Sequence, residues 1–585
     1  VLRRTAAALL GIAPLLTATT PLVAHAAPGL GHTGATTTSL VAPADLTCEP
    51  EGPGSLPDGL VPGTLTAPVP TQRGISLVWP VGGDADGDAI AQVNYRLAGD
   101  PDWTEGLPLR RVPADSNEGF SWEDRLSGSL FDTAPGATYD VQVRASDPDG
   151  GCVVQSLTVH TPAIPRVPAD GAVHRTGPGR LEATLAEAGP GDIVELRAGT
   201  YPGFYVDNDG TVDDPLVIRA DGRVVVRGEI GLFDRKYVQV RGLVVHGRIR
   251  ANNSTGVAII GNRISGDPEG GVQAIEHSRS AYIARNTVTG PTIWRNRSVG
   301  ADGDNTGEGI VVSGPGHVIE RNTASGWRDC LSTMEDSEAI NQQSIDIRAN
   351  RLFRCADDAI EADFCFQNCR VMDNLITSSF VAMSSQPGLG GPTYFIRNRA
   401  YDILYAPYKL YRGSVGDVLL FNTTVKHGDA FNIYSGVPHK RQYARNNLFL
   451  GGPGGTYGGY SGDSGYFMSL AYDRGGSYDY DGYGTTSKRF RGVFRDQHFT
   501  GVAGLRSATT EKHGIRVALN IFMGGMAYPA KPFKHYQAPD FSLRPGSVAV
   551  GAGVWLPGFG LPDGEAPDLG AIQVGQRPVA VGAPR

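Results

Sequence analysis

Apolar and polar positions alternate in short runs along most of this chain, with a period of two. Between about 46 and 163 the runs include Ile75-Ser-Leu-Val-Trp79, Val93-Asn-Tyr95-Arg-Leu97 and Tyr139-Asp-Val141-Gln-Val143-Arg-Ala145, separated by Gly and Pro turns. One apolar face, one polar face and frequent turns predict a β-sandwich over 46–165. Further on, the alternation acquires a longer period. Asn262, Asn286, Asn322, Asn350, Asn374, Asn398, Asn422 and Asn446 each follow a short β-rich run, at spacings of 24, 36, 28, 24, 24, 24 and 24 residues. A 24-residue unit such as the one around Val418-Leu-Leu420-Phe cannot bury a face alone, whereas stacked coils can. The period therefore predicts an all-β chain whose region 170–580 is a parallel β-helix. An amide at one turn of each coil can donate to one neighbour and accept from the other, so the Asn series reads as a structural ladder. The two long spacings place insertions near 290–306 and 335–343. Asp540 to Leu543 and Pro567 to Ala571 are expected to form the last coil and its cap.

Arg3 and Arg4, the apolar stretch Thr5 to Val23, and Ala24-His25-Ala26 form an export-signal pattern over 1–26, followed by a linker over 27–45. The expected location is extracellular. No later segment holds about 18 uninterrupted apolar residues, so no membrane span is expected. Net charge is −8 with no strongly basic region, which argues against a nucleic-acid partner. The six cysteines suit an oxidising compartment. Cys48 and Cys152 bracket the sandwich, Cys330 and Cys355 lie about one coil apart, and Cys365 and Cys369 remain as a third pair. Asp84-Ala-Asp86-Gly-Asp88 reads as a solvated acidic turn in preference to a metal loop.

The chemistry lies in one strand of consecutive coils. Aligned on a central inward residue, these strands are Glu308-Gly-Ile310, Asp329-Cys-Leu331, Asp358-Ala-Ile360-Glu361, Val381-Ala-Met383, Tyr408-Lys409-Leu410 and Phe431-Asn-Ile433. Glu308, Asp329 and Asp358 then stack on neighbouring coils, with Asp357 before them and Glu361 beyond. Lys409 follows two coils later, near Tyr411 and Arg412. At about 4.8 Å per coil, these groups span roughly 5–15 Å on one face. Stacked carboxylates repel unless a cation binds them, which suits Ca²⁺, or unless some keep a proton, as in glycosidases. An acidic solvent face, with Lys409 in a plain ion pair, is the bland alternative.

Two resemblances attach to these motifs. Phe131-Asp-Thr-Ala-Pro135-Gly136-Ala-Thr-Tyr139, with Trp79 as core tryptophan, resembles the fibronectin type III pattern. The order Asp329-Cys-Leu, Asp357-Asp358-Ala-Ile-Glu361, Tyr408-Lys409-Leu410 resembles the family 9 polysaccharide lyases, which include pectate lyases. That resemblance implies a right-handed parallel β-helix in which Asp329, Asp357, Asp358 and Glu361 bind Ca²⁺ and Lys409 is the base. Glu308, Tyr411 and Arg412 are the expected substrate contacts. The expected partner is an acidic polysaccharide, cleaved by β-elimination on a monomer. A polygalacturonase-like hydrolase using Asp329, Asp357 and Asp358 is the alternative enzyme, although that family's Gly-His-Gly is Phe380-Val-Ala here. A third reading is a non-catalytic carbohydrate-binding solenoid using Tyr405, Tyr408, Tyr411 and Tyr434.

Overall fold

The computed structural model describes residues 45–48, 58–333, 339–561 and 564–584. The expected export signal and nearly all of the linker lie outside these residues, as do positions 335–338 of the second insertion.

The first region is antiparallel. Strands β1 (Val61–Pro62), β2 (Gly74–Gly82), β3 (Ile90–Leu97), β4 (Thr104–Val112), β7 (Arg125–Phe131), β8 (Thr138–Ser146) and β9 (Cys152–His160) pair in the order β1-β2-β7-β4-β3-β8-β9. A small hairpin, β5 (Asp115–Asn117) and β6 (Phe120–Trp122), stands apart from them. β4 pairs with β3 through its first half and with β7 through its second, so the sheet turns over a shared apolar interior. Ile75, Leu77, Trp79, Val93, Val141 and Val143 fill it and are fully buried. Asp84 departs from the solvated turn expected of it. Its carboxylate is buried, accepts the Ala89 N–H at 3.0 Å and pairs with Arg111.

The rest is a parallel β-solenoid. From Val173–Thr176 to Ile515–Arg516 the strands pair with those one coil away, in three parallel ladders. The first runs through Val238–Arg241, Asp346–Arg348 and Tyr443–Arg445, and the second through Val244–His246, Thr323–Ser325 and Leu448–Gly451. The third runs through Ile249–Arg250, Val272–Ala274, Glu308–Val312 and Asp329–Thr333. Inward residues of all three ladders merge into one core running along the axis. The helices Leu181–Glu187 and Gly501–Ala508 send Leu181, Leu185 and Leu505 into that core near its two ends. A stack of coils leaves an apolar cross-section at each end, which such elements cover.

The corner between the first and second ladders carries the Asn series. Asn350 shows the pattern. Its backbone N–H donates to Asn374 Oδ1 at 2.9 Å, and its Nδ2 donates to Ile319 O at 2.9 Å and Asn374 Oδ1 at 3.0 Å. Its own Oδ1 accepts from Asn322 N at 2.8 Å and Asn322 Nδ2 at 3.2 Å. The residue before each ladder Asn has positive φ, as in Arg321 (55°), Ala349 (52°) and Asp373 (58°). That conformation is costly for a residue with a Cβ, and the buried amide bonds offset it. The series ends one residue later than the spacing predicts. Asn447, not Asn446, joins Asn422, and Asp481 follows. Asn446 occupies the left-handed position (φ 63°) and binds Val554 of the C-terminal segment. Asparagine tolerates left-handed backbone, so of two adjacent asparagines the second falls on the ladder. Replacing Asn350 with alanine leaves several buried polar groups unmatched, and stability should fall by on the order of 3–5 kcal/mol. A urea-unfolding midpoint equal to wild type would show that the ladder contributes nothing.

The C-terminal segment is not a last coil. The final parallel pairing is Gly482 with Ile515. Beyond it the chain turns back outside the solenoid: Gly570 N bonds Asn446 O, Ala571 N bonds Thr423 Oγ1, Gly582 N bonds Ala349 O and Ala583 N bonds Thr323 Oγ1. Pro529, Pro532, Pro539, Pro545 and Pro557 cannot donate to a strand ladder. The segment therefore straps the second ladder, with Phe522, Phe541, Leu543 and Leu569 buried against Val425, Leu448 and Leu450.

The antiparallel region packs on the first ladder through a buried polar contact. Arg370, 1% exposed, donates to Asp346 Oδ1 at 2.5 Å, Ser76 Oγ at 2.9 Å, Ser129 Oγ at 3.1 Å and Thr71 Oγ1 at 3.3 Å. Thr71 Oγ1 in turn donates to Asp346 Oδ2 at 2.5 Å. With the first ladder covered by the antiparallel region and the second by the strap, the third is left to carry the chemistry.

Candidate functional site

Parallel register brings the acids together on the third ladder. Glu308 lies opposite Asp329. Leu331 lies opposite Ile360, which places Asp329 beside Asp358. The Asp358 N–H donates to Asp329 Oδ1 at 2.8 Å. An irregularity between Cys355 and Asp358 interrupts the strand. Such a break lets consecutive residues reach one side, and both Asp357 and Asp358 reach Asp329. Carboxylate oxygens of Asp329, Asp357 and Asp358 lie within 4.8 Å of one another, as do those of Glu308, Asp329 and Glu361. Four sequence-predicted acids, Glu308, Asp357, Asp358 and Glu361, thus converge around Asp329. The three aspartates are buried, while Glu308 and Glu361 are half-buried.

Lys409 reaches the same cluster, with its Nζ paired to Asp358 Oδ2. Its register differs from the sequence alignment by two residues. Tyr408, not Leu410, lies opposite Met383, and Lys409 lies opposite Ser384, itself opposite Glu361. A shift of two preserves the outward phase, so Lys409 still points to the acids. Tyr408 points inward and is fully buried in the core, which removes it from any sugar-binding surface.

Two members of the cluster escaped the sequence reading. Asp363, fully buried, accepts from Ser384 Oγ at 2.5 Å and Gln386 N at 2.8 Å. Its signal was the outward phase shared with Glu361, two residues before it. Arg328 lies 3.5 Å from Asp329 and 3.9 Å from Asp357, with its side chain 46% exposed. Its signal was adjacency to Asp329.

Arg412 does not join the cluster. Its guanidinium pairs with Glu118 at 3.0 and 2.6 Å and lies over the Phe364 ring. Glu118 sits at the tip of the β5–β6 hairpin, where Asn117 Nδ2 also binds the Arg412 and Gly413 carbonyls and Phe120 meets Phe364 edge to face. The hairpin thus holds the chain just after Lys409. Tyr411 is half-buried beside Tyr405 and Tyr434, and burial pushes its phenol well above the usual value. Tyr405 stacks between Phe380 and Tyr434, at 5.0 and 4.7 Å between ring centres. Since Asp358, Val381 and Ala406 share a register, this aromatic stack continues the column begun by Asp357. The 290–306 insertion closes over it, with Val299 packed in the aromatic cluster and Gly300 N bonded to Ala356 O at 2.8 Å.

The electrostatics follow from burial. Desolvation, then the charges of Glu361, Asp357, Asp358 and Glu308, push Asp329 well above the normal carboxyl range. Desolvation likewise raises Asp357, and raises Asp358 to about 8 although Lys409 opposes it. Asp363 is raised by burial and then by Glu361. For Lys409 burial favours the neutral amine, but Asp358, Asp363, Asp357 and Glu361 outweigh it and hold the ammonium charged. The cluster is thus short of positive charge, and Asp358 Oδ1 is buried without a hydrogen-bond partner. An all-oxygen set with such an orphan fits a hard divalent cation.

No protein-family model and no curated protein matches this chain. The fold and the site define a parallel β-solenoid with a buried acid cluster and a lysine on its third ladder.

Proposed function

We propose that the protein is a secreted polysaccharide lyase that cleaves a uronic-acid polymer by Ca²⁺-assisted β-elimination, with Lys409 as the base. The observation that carries this reading is the lysine held against converging carboxylates on the third ladder. Asp329, Asp357, Asp358 and Glu361 would hold the cation, with Glu308 at its edge. Bound Ca²⁺ supplies positive charge to a substrate carboxylate as negative charge builds on the carbon beside it. Lys409 takes the C5 proton, the C–H electrons form the C4–C5 double bond, and the C4 oxygen leaves with a proton from water. The amine must be neutral to act. Screening of the acids removes the attraction that keeps its proton, leaving burial, which favours the neutral form. Arg328, half-exposed at the rim, takes the substrate-contact role expected of Arg412, and the half-buried Tyr434, at the end of the aromatic stack, offers stacking area for a sugar ring.

The same acids support a second reading. Burial raises Asp329 well above the usual carboxyl range, the direction a general acid needs, and it lies beside further carboxylates. Incubation with a panel of uronic acid polymers separates the two. Elimination produces ultraviolet absorbance together with new reducing ends, hydrolysis produces reducing ends alone, and binding without catalysis produces neither. Absence of absorbance on every uronan would reject the lyase.

Cation binding has its own readout. Asp358 binds its proton more tightly folded than unfolded, so without Ca²⁺ its contribution to stability falls as pH rises from about 4 to about 8. Protons and Ca²⁺ compete for the same oxygens. Added Ca²⁺ should therefore raise the melting temperature at pH 8, with a gain that shrinks toward pH 5; at 100 times Kd the expected stabilisation is about 2.7 kcal/mol. No shift at pH 8 would remove the cation from the mechanism.

The antiparallel region is assigned as a fibronectin type III-like domain. Its strand order, the buried Trp79 and the Tyr139 hydroxyl accepting the Ala134 N–H at 2.7 Å support this. Pairing of all six cysteines as Cys48–Cys152, Cys330–Cys355 and Cys365–Cys369 supports an extracellular location.

A further inference from the structure

Three parts of the chain meet around a cavity of about 230 Å³ on the second ladder, away from the acid cluster. The antiparallel region contributes Asp132, the solenoid Asp373, Arg397, Arg399 and Phe421, and the C-terminal strap Phe559, Ile572 and Arg577. Among the described residues the charges do not balance. Asp132 and Asp373 are already taken: Arg397 bonds both, at 2.7 and 2.8 Å, and Arg348 bonds Asp132 at 2.8 Å and lies 3.9 Å from Asp373. Two acids thus neutralise two arginines. Arg399 is left over. It is 7% exposed, and among the described residues its hydrogen bond is a 3.4 Å contact with the Val579 carbonyl.

A guanidinium cannot shed its charge to escape burial, and a buried cation without an adequate partner is costly. Burial disfavours the charge on Arg399, and Asp373 offsets this only in part. Arg577, exposed on the strap, adds a second positive charge at the rim. The remaining wall is mixed: Phe421 and Phe559 meet edge to face at 5.3 Å with Ile572 nearby, and Gln573 and Gln576 add polar groups. A space this small, lined by a forked cation, aromatic rings and two amides, matches a carboxylate carried on a compact, partly polar body.

We propose that this cavity is a binding site for a small organic carboxylate of the size of one hexuronate residue, held by Arg399 and Arg577. The site needs neither Lys409 nor the acids of the third ladder, so it stands or falls apart from the lyase reading. Because the strap forms one wall, occupancy also ties the strap to the solenoid.

Calorimetric titration of the whole protein at low salt with D-glucuronate tests this, with D-glucose and inorganic phosphate as parallel arms. Glucuronate should bind and glucose should not. Arg399→Gln should weaken glucuronate binding by at least about tenfold, and Arg577→Gln, on the surface where folding is not at risk, by a few-fold. Lys409→Ala should leave it unchanged. Absence of glucuronate binding, equal binding of glucose, or unchanged affinity in both arginine variants would overturn the proposal. Phosphate binding in place of glucuronate would overturn the carboxylate assignment.

Discussion

Lys409→Ala should lower elimination by about 10²–10⁴-fold, the usual contribution of a positioned general base. The loss should fall on kcat, because the proton is transferred only in the transition state. Stability should change little. Asp358 loses its counter-ion, but burial already holds its proton up to about pH 8, so at pH 7 the carboxyl can stay neutral. Lys409→Arg separates the chemical role from the ion pair. Arginine keeps the charge beside Asp358 but cannot become neutral, so that variant should melt like wild type and remain inactive. An active Lys409→Arg protein would show that Lys409 serves only as a counter-ion to the acids.

The second large effect lies outside the candidate site. Arg370→Ala leaves Asp346 buried between the two regions without its cation. Breaking a buried pair from one side costs about 3–5 kcal/mol. Thr71, Ser76 and Ser129 lose a shared donor at the same time. The antiparallel region should then loosen from the first ladder and become sensitive to protease under native conditions. The double variant Arg370→Met/Asp346→Leu removes both charges and should be more stable than Arg370→Ala. If Arg370→Ala resists protease and denaturant like wild type, the buried pair does not hold the regions together. The link to function runs through the β5–β6 hairpin. Loosening it frees Arg412 from Glu118 and lets the chain after Lys409 move, so Arg370→Ala should also raise KM.

Much of this was legible along the chain because the determining interactions repeat. A side-chain period of two specifies strands, and a 24-residue period in apolar runs and asparagines specifies stacked coils. The acids at 308, 329 and 358 were placed on adjacent coils by aligning inward residues, and the ladder pairs them that way. The cysteine spacings suggested three pairs without fixing them, and the structure joins Cys48–Cys152, Cys330–Cys355 and Cys365–Cys369. Where the rule was local but ambiguous, the reading slipped by a small step. Asn446 and Asn447 satisfy the period almost equally, and left-handed backbone chose between them. Leu410 and Tyr408 are both apolar in the same phase, and the irregularities in these strands set which one meets Met383.

What only the tertiary structure decided concerns segments distant in sequence. Nothing near Arg412 announces that its partner is Glu118, 294 positions earlier. Nothing in the proline-rich C-terminal segment says that it runs back to Thr323. The unbalanced charge of Arg399 arises because Arg348 and Arg397 saturate the acids nearby, one of which, Asp132, comes from the antiparallel region. Periodic patterns encode contacts that recur at fixed separation, so sequence alone determined the coils and the order of the acids. Contacts made once, between remote surfaces, depend on how the finished solenoid presents its faces. They settled what packs on each ladder and, among the described residues, which buried cation lacks a carboxylate of its own.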